Sequence, residues 1–138
     1  MADSSLRRST SILLLDGDRR TSQRLALMLG EDGFQVEVSS DGASALERLG
    51  REPLPDVLIT ELSVPVTSGV TVARFALERR PDMRVVVLTR YPNLFDPKAF
   101  ARAPVVLTKP LDYPSLLELL SDAEGSGRAS LRPASSGY

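Results

Sequence analysis

The sequence predicts an α/β domain, a five-stranded parallel sheet in the order 2-1-3-4-5, doubly wound with helices on both faces. Three observations carry this reading. Short continuous apolar runs, Ile12-Leu13-Leu14-Leu15, Val57-Leu58-Ile59 and Val85-Val86-Val87-Leu88, have the composition of strands covered on both sides. Segments with apolar residues at helical spacing separate them. Connections of helix length make such strands parallel, with right-handed crossovers.

In chain order, residues 1–10 are polar, with Arg7-Arg8 their only charge cluster, and are expected to be a flexible leader to a domain spanning 11–124. Ser11 to Leu15 is the first strand and stops at Asp16-Gly17-Asp18. Asp18 is placed to cap a helix through Gly30, with Leu25, Met28 and Leu29 on its apolar face, before Gly30 and Gly33 mark a turn. Gln35 to Ser39 alternates, Val36 and Val38 facing one way, as a half-buried edge strand does. Asp41 caps a second helix striped by Ala45, Leu46 and Leu49 and ended before Pro53 and Pro55. Asp56 to Thr60 is the third strand. Ser68 caps a third helix, with Gly69, Val72, Ala73, Ala76 and Leu77 on one side, closed by Arg79-Arg80-Pro81. Arg84 to Thr89 is the fourth strand. Asp96-Pro97 reads as the cap and first turn of a short fourth helix that Pro104 stops. Val105 to Thr108 is the fifth strand, and Asp112 and Pro114 open a fifth helix carrying Leu116, Leu117, Leu119 and Leu120 as far as Gly125. Residues 125–138, rich in Gly, Ser, Ala and Arg without periodicity, are expected to be a disordered tail. Strand order and crossovers together describe a flavodoxin-like architecture.

Composition narrows the chemistry. The 138 residues suffice for one core, and 42% apolar with 25% charged residues is ordinary for a folded domain. Seventeen basic residues against eighteen acidic ones leave no net charge to draw nucleic acid or a membrane surface, so neither is an expected partner. The chain has no cysteine and no histidine, which removes thiolate chemistry, zinc sites and hydrolases built on a histidine base. The apolar runs are too short to span a membrane, and a cytoplasmic location is expected.

The strands end on chemistry. Strands one, three, four and five close on or beside Asp16, Glu61, Thr89 and Lys109. Open α/β sheets bind ligands outside the carboxyl ends of their strands, and the order 2-1-3-4-5 brings these four ends to one crevice. Each residue also has an ordinary structural use, the acids Asp16 and Asp18 as helix caps and Lys109 as a surface lysine on a long apolar stem. Two carboxylates, a hydroxyl and an ammonium at corresponding ends of their strands point instead to a shared site.

The chain from Ile12 to about Leu120 resembles a response-regulator receiver domain of two-component phosphorelay signalling. The resemblance rests on Ile12-Leu13-Leu14-Leu15-Asp16-Gly17-Asp18, on Pro55-Asp56-Val57-Leu58-Ile59-Thr60-Glu61 with Pro65 and Gly69 after it, on Val85-Val86-Val87-Leu88-Thr89, and on Leu107-Thr108-Lys109-Pro110. It implies an aspartate that takes a phosphoryl group from a histidine kinase, Mg2+ held by that aspartate and an acidic pair, and a threonine and lysine that contact the phosphoryl oxygens. It also implies an aromatic residue three positions before the lysine that reorients on activation.

Departures from that pattern fall on the same positions. Glu61 stands where the acceptor aspartate belongs, Gly17 where the second acid of the pair belongs, Val106 where the switch aromatic belongs, and Arg90 where a small residue is usual. Mg2+ demands near-ideal octahedral geometry, so a site degenerate at Asp16, Gly17 and Glu61 is expected to bind it weakly or not at all, with no cofactor. The expected replacement is a metal-independent ion pair between Glu61 and Lys109, shared with Arg90, while Thr89 bonds locally. Glu61 is then either a mimic of phosphorylated aspartate or part of a vestigial site. A stand-alone, non-enzymatic pseudo-receiver follows, acting on a histidine kinase, an output protein or a second copy of itself. Its contact face would be the family's fourth helix, fifth strand and fifth helix, with apolar Leu94, Phe95 and Phe100 there. Competing readings are a receiver that is still phosphorylated and, from another class, an acid-nucleophile phosphatase using the Asp16-x-Asp18 pair.

Overall fold

Alternation along a strand sends successive side chains to opposite faces of a sheet, and it divides the apolar runs into two cores. Ile12, Leu14, Ile59, Val86 and Leu88 pack on one face with Leu25, Leu29, Leu116 and Leu120. Leu13, Leu15, Leu58, Val85 and Val87 pack on the other with Leu49, Val72, Ala76, Phe95 and Phe100. The computed structural model describes residues 9–64 and 66–124, so most of the expected leader, Pro65 and the expected tail with Gly125 lie outside the described residues. Its strands are β1 (Ser11–Leu15), β2 (Gln35–Ser39), β3 (Val57–Glu61), β4 (Arg84–Thr89) and β5 (Val105–Thr108). They form one parallel sheet in the order β2-β1-β3-β4-β5. Helices α1 (Arg19–Glu31) and α4 (Tyr113–Glu124) cover the first face; α2 (Gly42–Leu49) and α3 (Gly69–Arg79) cover the second.

Each of the first three helices starts on a side chain that satisfies its free N–H groups. Asp18 accepts from Arg20 N and Thr21 N, Asp41 from Ser44 N, and Ser68 from Thr71 N. Gly33, at φ 98°, makes the turn from α1 into β2 in a conformation other residues resist. Beside that turn, Tyr113 donates its hydroxyl to Asp32 Oδ2 at 2.8 Å and ties α4 to the end of α1.

Three expectations need correction. The third strand is Val57–Glu61, one residue later than the apolar pattern suggested, because Asp56 serves as a clasp. Its Oδ2 accepts from Ser11 N at 2.9 Å and Ser11 Oγ at 3.2 Å, while Asp56 N donates to Ser11 Oγ at 3.1 Å. The expected fourth helix does not form. The chain makes two 3-10 turns, Pro92–Leu94 and Pro97–Ala99, leaving four α-helices among the described residues. Pro92, Pro97 and Pro104 lack the N–H groups a helix ladder needs. Aromatic anchors replace the ladder: Phe95 and Phe100 are both buried, their ring centroids 5.6 Å apart, and of the three apolar residues expected at a contact face only Leu94 faces water. On the β2 edge, Val36 is half-buried as expected, whereas Val38 is 40% exposed.

Candidate functional site

Register carries the four strand ends to one place. Leu15 lies opposite Thr60, so Asp16 and Glu61 emerge side by side. Glu61 is paired with Leu88 on β4, which puts Thr89 one step beyond it. Thr89 is in turn paired with Thr108, and Lys109 N donates to Thr89 O at 2.9 Å, which fixes where the lysine leaves the sheet.

Lys109 Nζ lies between two carboxylates. It donates to Glu61 Oε2 at 2.7 Å and to Asp16 Oδ2 at 3.3 Å. The side chain of Asp16 is 1% exposed, that of Lys109 11% and that of Glu61 21%. The second oxygen of Asp16, Oδ1, accepts the Asp18 N–H at 2.8 Å. One ammonium facing two acids makes the pair asymmetric. Burial raises the Glu61 carboxyl above the ordinary glutamate range and the nearby Asp16 adds to this, against the hydrogen bond from Lys109. Burial works against the charged Lys109 as well, yet its bond to Glu61 and the charges of both carboxylates outweigh it and hold the ammonium above its ordinary value. The lysine is thus held charged beside a glutamate whose carboxyl is raised.

Other expected site residues take different places. Asp18 is exposed, and its carboxylate is committed to α1, accepting from Arg20 N, Thr21 N and Thr21 Oγ1; the Thr21 hydroxyl leads in holding its carboxyl below the usual range. Only its backbone reaches the cluster. Gly17 is exposed and offers no side-chain donor. Thr89 is buried, and its Oγ1 accepts the Tyr91 N–H at 3.0 Å. Val106 is half-buried against the second core. Arg90 does not share the ion pair; it is exposed, because alternation turns it away from the side on which Thr89 is buried. Its expected role falls to Asp16, whose part in the ion pair the sequence reading left out; its place at the end of a strand neighbouring β3 was the available signal.

The loop after Glu61 is pinned at two close contacts. A Cβ on Gly69 would lie 2.0 Å from the Glu61 carbonyl oxygen, so the helix α3 can start there only with glycine. A Cβ on Gly42 would meet the Thr67 side chain and carbonyl at 2.7 Å. Val66, in the same loop, has φ 77°, a left-handed conformation costly for a β-branched residue, with 75% of its surface exposed.

Comparison with known proteins matches residues 12–121 to the response regulator receiver domain family model. The chain is 33% identical over 108 residues to the response regulator receiver protein CpdR of Brucella abortus, covering 77% of this chain and 89% of that protein. It is 31% identical over 114 residues to the transcriptional regulatory protein GlrR of Escherichia coli, covering 81% of this chain. The match spans 26% of the length of GlrR. Among solved structures, a response regulator receiver domain protein from Clostridium thermocellum aligns with TM-score 0.76 at 25% identity, covering 84% of this chain and 94% of that one. A CheY-like receiver domain from Methanospirillum hungatei aligns with TM-score 0.75 at 22% identity, covering 86% and 99%, and speaks to the fold alone.

Proposed function

Since the chain belongs to the response regulator receiver domain family of two-component signalling, we propose that it acts through protein-protein interaction without phosphoryl transfer, as a receiver whose crevice supplies its own counter-charge. The observation that carries this is Lys109 Nζ seated between Glu61, at 2.7 Å, and Asp16, at 3.3 Å.

The residues do not fit the Mg2+ that the family resemblance implies. An octahedral site for a hard cation needs several oxygen donors with room around them. Here Asp16 spends one oxygen on Asp18 N and the other on Lys109, Glu61 Oε2 is taken by Lys109, Gly17 has no donor, and Asp18 caps a helix. Among the described residues no group of three acids, cysteines or histidines is arranged to hold a metal. Glu61 also carries its carboxylate one methylene farther than aspartate would, which costs the alignment an in-line transfer needs.

Of the two readings of Glu61, the vestigial one has the better support. A phosphoaspartate mimic would draw Thr89 into the crevice, whereas Thr89 Oγ1 accepts the Tyr91 N–H and the Glu61 carboxylate bonds Lys109 in place of Thr89. Partners are then a histidine kinase, an output protein or a second copy of the chain, reached by surface and not by group transfer.

The test is intact-mass measurement after incubation with acetyl phosphate and Mg2+. The mass of the parent protein is expected to stay unchanged, while a Gly17→Asp, Glu61→Asp double variant gains one phosphoryl group. A stable phosphoryl adduct on the parent would overturn the proposal, and steady release of phosphate from the donor would favour the enzyme reading.

A further inference from the structure

Residues 91–104, which join β4 to β5, are fastened along their whole length. Leu94 N donates to Tyr91 O at 2.9 Å and Phe95 N to Pro92 O at 3.1 Å, while Ala99 N and Phe100 N donate to Asp96 O and Pro97 O, both at 3.1 Å. Asp96 Oδ1 accepts Lys98 N at 2.9 Å. Pro92, Pro97 and Pro104 restrict φ at three positions. Phe95 and Phe100 belong to the second core, each 8% exposed. Arg102 Nη1 donates to Pro81 O at 3.0 Å, in the turn that leads into β4, and so ties the segment to the end of the sheet opposite the crevice.

These fastenings do not involve the crevice. The side chains of Asp16, Glu61 and Lys109 bond one another and Asp18 N, and among the described residues none of them bonds to residues 91–104. Thr89 is where crevice and segment meet: its carbonyl accepts Lys109 N and its Oγ1 accepts Tyr91 N.

That joint transmits little. The first bond belongs to the backbone and is independent of the lysine's charge. A hydroxyl donates and accepts at once, so Thr89 can turn its proton toward a charge in the crevice with Tyr91 N still bonded. A perturbation moves a conformational equilibrium only by what it gains in one state over the other. The core rings, the prolines and the Arg102 tie are the same whatever charge the crevice holds, so that difference is absent here.

We infer that the crevice and the segment 91–104 are uncoupled, and that this receiver keeps one arrangement of the segment whatever charge the crevice carries. The inference goes beyond the proposed function, since it holds with or without phosphoryl transfer. Restoring an acceptor aspartate would then restore chemistry without restoring a switch.

Coupling between two sites is reciprocal, so the test runs in both directions. Proton–nitrogen correlation spectra of the full chain at pH 7 are compared for the parent, Glu61→Gln, which removes a crevice charge, and Arg102→Ala, which cuts the exposed tie of the segment. In Glu61→Gln the amides of Asp16, Leu62 and Lys109 are expected to shift beyond the line width, while those of 93–103 stay within it. In Arg102→Ala the segment amides are expected to shift while those of Asp16, Glu61 and Lys109 stay within the line width. Relaxation dispersion on the parent should show no microsecond-to-millisecond exchange at 93–103. Displacement of the segment by Glu61→Gln, displacement of the crevice by Arg102→Ala, or exchange at 93–103 that Glu61→Gln alters would each overturn the inference.

Discussion

Replacing Lys109 with methionine keeps the side-chain volume and removes the one charge that two carboxylates share. Asp16, 1% exposed, then has no counter-charge, and its like-charged neighbour Glu61 is only 21% exposed. Breaking a buried pair by removing one partner costs about 3–5 kcal/mol; Glu61 can recover some hydration at the crevice mouth, which favours the lower end, about 3 kcal/mol. For a domain of this size 1 kcal/mol moves the midpoint by about 4 °C, so Tm is expected to fall by about 12 °C. Urea unfolding followed by far-UV circular dichroism at pH 7, with calorimetry for Tm, measures both. Without the ammonium, protonation of Glu61, whose carboxyl is already raised, relieves the repulsion, so the deficit of Lys109→Met should shrink as pH is lowered from 7 to 5. Adding Glu61→Gln to Lys109→Met should recover about 1 kcal/mol by removing one of the facing charges. A variant within about 0.5 kcal/mol of the parent at pH 7, or a deficit that stays constant to pH 5, would refute the claim that the crevice depends on this internal neutralisation.

The raised carboxyl of Glu61 sets a sign: the native state keeps a proton that the unfolded chain releases near pH 4.3, as glutamate ordinarily does at about that value. Its contribution is full below that pH and is lost as pH climbs through the raised value, so urea titrations should show the parent losing stability relative to Glu61→Gln from pH 4 to 7; a gain would contradict the assignment. Lys109, also raised, keeps its contribution below the ordinary lysine value of about 10.4 and loses it above the raised one, a decline that Lys109→Met should lack in alkaline unfolding. Gly69→Ala puts a methyl against the Glu61 carbonyl and is expected to cost about 3 kcal/mol in urea unfolding, with the nuclear magnetic resonance signals of Glu61 and Lys109 displaced. In the segment after β4, Phe100→Ala should cost about 3–4 kcal/mol and Leu94→Ala less than about 0.5 kcal/mol, since Phe100 is buried and Leu94 is 77% exposed; equal losses would mean the segment is packed differently.

Period and punctuation made most of the fold legible. The unbroken apolar runs of β1, β3 and β4 and the capping Asp18, Asp41 and Ser68 required no tertiary information, because strand burial and helix capping are written within a few neighbouring residues. Residues 90–104 resisted the same treatment. Three prolines and a good N-cap at Asp96 fit a short helix and a pair of 3-10 turns about equally well, and burial of both phenylalanines decided between them through contacts distant in sequence. At the site, strand-end position identified Asp16, Glu61, Thr89 and Lys109 as neighbours, but not which pairs would form. Lys109 lies 93 residues from Asp16, so the choice of Asp16 over Arg90 turns on side-chain direction at the last strand residue, which local pattern does not encode. Asp18 shows the converse: its local duty at α1 took precedence over the crevice.

The clasp between Ser11 and Asp56 has a reach well beyond its own neighbourhood. It indexes β1 against β3 at the end of the sheet opposite the lysine, and from that stop each strand counts out the same number of residues before releasing Asp16 and Glu61. Alignment and reactivity are thereby stored in different places. The side chains at the upper end can vary, while the ruler beneath them still delivers Asp16 and Glu61 to the same spot.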